Sequence, residues 1–251
     1  MNGQSNENHT YRWIRAILPV AVYILIFALV STVIKTGIAQ SAAAGLIMIP
    51  AGLYMMKRGG LSPAGDGTRK KPAFAEIAAA AVLCVSAGIG LNVLIGISGI
   101  MEADAAFRAA QQSLFGTSFL ITVLVTGFIA PAAEEIVFRG LCFGRLRSFL
   151  GFVPACAASA FFFGVYHGNL VQGIYAFFME LVLAYICERF RSVSAAAAAH
   201  MLINLCVLGA GRTSLFGYLS GRIPAALAAM AGCFIAAGVS MIYLRKKSEI
   251  S

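Results

Sequence analysis

Eight apolar runs, each ending at charged or turn-forming residues, occupy most of the chain: 14–34, 38–56, 73–100, 118–147, 152–168, 171–187, 193–210 and 223–244. A helix needs about 20 mostly apolar residues to cross a hydrocarbon layer of about 30 Å. Within that layer the backbone must satisfy its own hydrogen bonds, and long unbroken apolar runs do so as helices. The expectation is an all-α fold, a polytopic transmembrane bundle of about eight helices forming one integral membrane domain over 1–251. What remains cannot coat a water-facing surface, because 60% of the 251 residues are hydrophobic and 12% charged, against about 25% charged in soluble domains. A soluble globular enzyme, a disordered tail and a nucleic-acid-binding domain are excluded, and no nucleic-acid partner is expected despite the net charge of +9.

That excess of positive charge is distributed unevenly between the two ends of the runs. With the N-terminus inside, Arg12, Arg15, Lys57, Arg58, Arg69, Lys70, Lys71, Arg145, Arg147, Arg189, Arg191, Arg245, Lys246 and Lys247 are cytoplasmic, fourteen in all. Lys35, Arg108, Arg212 and Arg222 fall outside, and Arg139 lies within a span. Short cytoplasmic loops collect Lys and Arg, so both termini are expected in the cytoplasm of a multi-pass cell-membrane protein with lipid as its surroundings. The segment Leu61–Pro72, with Arg69-Lys70-Lys71, reads as a cytoplasmic loop near anionic headgroups. Residues 101–117 read as a short amphipathic helix on the outer surface.

Several other features read blandly. The cysteines Cys84, Cys142, Cys156, Cys187, Cys206 and Cys233 are scattered without C-x-x-C pairs and behave as small buried hydrophobes. The first run, though followed by Gly37 and Ala39, is long enough to span and is expected to be retained. Ser248-Glu249-Ile250-Ser251 lacks a prenylation cysteine. His9 lies in a polar N-terminal tail and reads as solvated, while Ser159 and Cys156 read as packing.

An ionisable group at the bilayer centre costs at least about 2.5 to 3.5 kcal/mol, so each one asks for a partner or a function. The intramembrane set is Glu134, Glu135, Arg139, His167, Glu180 and His200, with Asn204 beside them. Glu134 and His167 lie equally far from the turn marked by Arg145, Arg147, Gly151 and Pro154, about 20 to 25 Å in at 1.5 Å per residue. His200 and Asn204, four apart and on one helix face, lie about 13 to 20 Å from the next cytoplasmic turn. Glu135 and Arg139 have the favourable i, i+4 order of an ion pair, leaving Glu134, turned about 100° away, to face the histidines. Pro131 removes an amide donor and calls for polar rescue nearby. Alanines 195–199 before His200 allow close helix approach. Glu180 reads as a supporting, gating or simply paired carboxylate.

A carboxylate and an imidazole beside trapped water can activate it, and an imidazole and an amide on one face can stabilise a tetrahedral oxyanion. No serine or cysteine is evidently paired to the histidines, which favours activated water over a covalent nucleophile. A structural polar network without turnover is the plain alternative. A transporter would show repeated broken helices, and no repeat is apparent.

Glu134-Glu135-Ile-Val-Phe-Arg139, Phe163-Gly-Val-Tyr-His167 and His200-Met-Leu-Ile-Asn204 together resemble the three motifs of the CPBP intramembrane proteases. That family includes the type II CAAX prenyl proteases and the bacterial Abi or bacteriocin-immunity-associated proteins. The resemblance covers about Pro131 to Leu205 and marks 118–210 as a catalytic core. It implies an intramembrane endopeptidase acting on a membrane-associated or prenylated peptide or protein. Glu134 and His167 would activate water, His200 and Asn204 would bind the oxyanion, and Glu135 and Arg139 would be structural. It leaves a non-catalytic scaffold or immunity-type protein as an alternative. No cofactor is favoured, because Asn204 suits an oxyanion better than a metal, although Glu134, His167 and His200 could ligate zinc.

Overall fold

A computed structural model describes residues 9–62, 72–213 and 215–249, with the prediction for the 61–72 loop and its Arg69-Lys70-Lys71 run falling largely outside them. The described residues are helical throughout with short connections. In chain order they form α1 (His9–Val33), α2 (Gly37–Arg58), α3 (Phe74–Ile97), a single turn α4 (Ile100–Ala103), α5 (Ala105–Gly116), and α6 (Phe119–Arg147). After these come α7 (Phe152–Tyr166), α8 (Leu170–Phe190), α9 (Val193–Arg212), a short α10 (Leu215–Ser220), and α11 (Ile223–Glu249).

Seven of these helices, α1, α2, α3, α6, α8, α9 and α11, are long and apolar enough to cross a membrane. The eighth apolar run folds as well, but α7 has only 15 residues, a rise of about 22 Å at 1.5 Å per residue. Helix ends follow the charges and caps. α2 stops at Lys57 and Arg58, Asn169 caps α8 by accepting from the Gln172 amide, and Ser192 caps α9 through Ala195. α1 begins earlier than its apolar run, because His9 packs edge-on against Phe149 at 5.8 Å and Arg12 stacks over the same ring. His9 is therefore at a helix start rather than in a tail, and it remains exposed, as expected of a solvated side chain.

The single helix predicted for 101–117 is broken at Asp104 into the turn α4 and the helix α5, because Asp104 is extended and caps α5. The Asp104 carboxylate accepts from Phe107 N at 2.9 Å and also from Val171 N at 3.0 Å, tying α5 to the start of α8. These two amide donors hold the Asp104 carboxyl below its ordinary value.

α6 carries most of the intramembrane charge and is not a regular helix. It widens to a π-helix over Val125–Ile129, returns to α over Ala130–Glu135, and widens again over Ile136–Phe143. Such wide turns concentrate at functional positions. α7 and α8 form a tight hairpin through glycine. A Cβ on Gly164 would stand 2.9 Å from Gly173 O, and Gly168 makes the reversal at φ +70, a conformation that costs glycine nothing.

Candidate active site

The polar residues of α6, α7, α8 and α9 assemble in two layers, one wholly enclosed and one facing a cavity. Arg139 is at the centre of the enclosed layer. Its Nε lies 2.9 Å from Glu135 Oε2, and one terminal nitrogen lies 2.5 Å from Glu180 Oε2, with all three side chains sealed from solvent. Ser159 Oγ donates to Glu180 Oε1 at 2.6 Å, so Ser159 carries a polar role beyond the packing read from sequence. The guanidinium also stacks against Phe163, 4.7 Å from the ring centroid. Two carboxylates thus share one cation, a ring face covers the guanidinium, and a hydroxyl holds the far oxygen of Glu180.

The expected Glu135–Arg139 pair is present, and Glu135 has a second partner that sequence reasoning missed. His200 Nδ1 lies 2.6 Å from Glu135 Oε1. A carboxylate can only accept, so Nδ1 carries the proton and the ring is fixed in orientation. The opposite nitrogen, Nε2, stands 3.8 Å from Glu134 Oε2. The adjacent glutamates, divergent along α6, therefore take one histidine from its two sides. The available signal was the Glu-Glu doublet itself, since the pairing partner lies 65 residues away.

His167 caps the end of α7. Its Nδ1 lies 2.8 Å from Phe163 O, a carbonyl that can only accept, so this histidine also holds its proton on Nδ1. Phe163 meets both rings edge-on, at 4.8 Å for His167 and 6.1 Å for His200. It spaces the two imidazoles from behind.

Asn204 answers the demand made by Pro131. In the wide register of Val125–Ile129, Ala130 N bonds Val125 O, so the next rung would join residue 131 to Thr126 O. Proline has no N–H to donate. Asn204 Nδ2 does so instead, at 2.9 Å from Thr126 O. One amide hydrogen is thereby committed to the backbone, and the second remains for another acceptor.

Glu134, His167, His200 and Asn204 all line one cavity of about 980 Å³, at the upper end of the range for ligand pockets. Glu135, Arg139, Glu180 and Ser159 lie behind it. Among the described residues no group of three or more His, Cys, Asp or Glu is placed to hold a metal ion. Cys84, Cys142, Cys156 and Cys187 are buried and Cys206 and Cys233 partly so, all as free thiols.

In this bundle a broken helix carries a Glu-Glu doublet that meets histidines and an asparagine of neighbouring helices, the arrangement with which the comparisons with known proteins agree. Residues 116–206 match the family model described as type II CAAX prenyl endopeptidase Rce1-like, which bears out the resemblance drawn from the three motifs. The chain is also similar to "Putative membrane peptidase YdiL" of Bacillus subtilis (strain 168), 25% identical over 123 residues, or 49% of this chain. The matched stretch spans about half the length of that relative, 50%. No solved structure matches the chain.

Proposed function

We propose that this protein is an intramembrane endopeptidase of the cell membrane. It hydrolyses a peptide bond of a membrane-associated polypeptide, whether prenylated, otherwise lipid-anchored or spanning. The observation that supports this most is the gap of 3.8 Å between Glu134 Oε2 and His200 Nε2. It is too long for a direct hydrogen bond and lies in a cavity wall shared with His167 and Asn204.

In the proposed reaction a water molecule bound by Glu134 and the His167 Nε2 lone pair attacks the substrate carbonyl carbon, and its proton passes to Glu134. The oxyanion receives hydrogen bonds from the uncommitted Asn204 amide hydrogen and from His200 acting as the imidazolium, its Nδ1–H on Glu135 and its Nε2–H on the oxyanion. The C–N bond then breaks as Glu134 gives its proton to the departing amine, and the new carboxylic acid passes the second water proton through Glu134 to that amine, so that the products leave as carboxylate and ammonium with Glu134 again ionised. Glu135, held by Arg139, keeps the His200 ring turned toward the reacting carbon.

The test compares membrane polypeptides from cells carrying the intact protein and the Glu134→Gln variant, both inserted at equal levels. Chains that stay longer in the variant support the reading. Identical populations would leave a non-catalytic scaffold as the better account. Metal analysis of purified, active protein tests the zinc alternative, which activity without bound metal after chelation would eliminate.

A further inference from the structure

Every residue lining the cavity belongs to one end of the bundle. The lining takes the second half of α1 (Ile24, Phe27), the start of α2 (Gly37, Ser41) and the end of α3 (Asn92 to Ile97). It continues through α5, the first half of α6, the α7–α8 turn, and α9 from His200 onward into α10. The opposite end of the bundle, beyond Arg139, contributes nothing to the cavity lining and is strongly cationic. It carries Arg12, Arg15, Lys57, Arg58, Arg145, Arg147, Arg189, Arg191, Arg245, Lys246 and Lys247. Arg69, Lys70 and Lys71 fall between α2 and α3 in the sequence and lie outside the described residues. Around the cavity mouth stand only Lys35, Arg108, Arg212 and Arg222. All the connections are short, the condition under which Lys and Arg excess decides orientation.

We propose that the cavity opens on the extracytoplasmic face, and that its substrate is a polypeptide presented to the membrane from that side. The orientation stands on charge and geometry, and the substrate class rests on the peptidase reading above. The mouth suits an extended chain. Asn92, Gln111 and Gln172 put side-chain amides among Ile95, Phe107 and Val207, and Gln111 Oε1 is buried without a hydrogen-bond partner. A peptide entering an apolar site must find partners for its backbone groups, and a buried, unmatched acceptor is such a partner. An exported or membrane-anchored chain reaches this mouth directly. A chain lipidated in the cytosol meets the cationic end, which the cavity does not reach.

Two single cysteines read the orientation without any activity, in a chain with Cys206 and Cys233 changed to alanine. Ala106→Cys stands at the mouth, exposed on α5, and Ser148→Cys is exposed beside Arg147 at the opposite end. A charged, membrane-impermeant maleimide should label Ala106→Cys in intact cells and Ser148→Cys only after permeabilisation. The reverse pattern overturns the proposal. For the substrate, chains retained in Glu134→Gln cells should be cut by protease added outside intact cells. Retained chains reached only after permeabilisation would refute the substrate side. If no chain is retained, the peptidase reading fails while the labelled orientation stands.

Discussion

Arg139 lies within 2.9 Å of Glu135 and 2.5 Å of Glu180, in a place that solvent does not reach. Removing one partner of a buried ion pair leaves an uncompensated charge and costs about 3 to 5 kcal/mol. Arg139→Ala strands two carboxylates and should lower stability by at least about that much, read as a drop in the thermal midpoint of the purified protein. An unchanged midpoint would contradict the shared-cation arrangement. Asn204 makes a different prediction, because its amide serves both the backbone and the cavity. Asn204→Ala should slow turnover by about 10² to 10³, as loss of one oxyanion donor does, with KM little changed. A KM rise with kcat intact would assign Asn204 to binding instead.

At the scale of elements, the α7–α8 hairpin sets the height of His167. Gly164 and Gly173 let the two backbones touch, with a Cβ on either standing within 3.1 Å of the other's carbonyl oxygen. Gly164→Ala should push the helices apart at a cost of about 1 to 3 kcal/mol, the range for overpacking. It should also lower kcat by displacing His167 while the Glu135–His200 pair stays intact. Full activity in that variant would mean that the hairpin has slack. The α5–α8 tie depends on Asp104, whose folded carboxyl titrates below the ordinary 3.8. A depressed carboxyl contributes stability that is present above the unfolded value and is lost as pH falls through the folded one. The α5 segment should therefore stay docked at neutral pH and loosen only in strong acid, and Asp104→Asn should loosen it at every pH. Hydrogen exchange at Phe107 and Val171 measures both effects.

Across the whole molecule, the parts legible in sequence are those governed by local rules. Apolar runs gave the spans, and charged breaks gave their ends to within a few residues. Spacing from turns brought Glu134, His167, His200 and Asn204 to one layer, where they line a common cavity. The wide turns of α6 were not legible, because π-helix depends on what packs against it and only Pro131 hinted at irregularity. The contacts of His200 with Glu135 and of Ser159 with Glu180 span 65 and 21 residues. Such pairings belong to tertiary structure, and no local pattern announces them. Likewise α7 reads as an apolar run like the others, and only its folded end at Tyr166 reveals how short it is.

That shortness has a consequence for the surrounding lipid. Val153, Phe161 and Val165 on α7 face outward, so acyl chains meet a wall about 22 Å tall where neighbouring helices offer a full span. Lipid beside it must thin, or headgroups and water must dip toward His167, at a cost that grows with each ångström of mismatch. Bilayer thickness then becomes a control on the proposed peptidase activity. In vesicles of phosphatidylcholines with increasing chain length, turnover should fall as the bilayer thickens, and the decline should be lost when α7 is extended by one helical turn at its outer end. A rate indifferent to chain length would show that protein rather than lipid seals this wall.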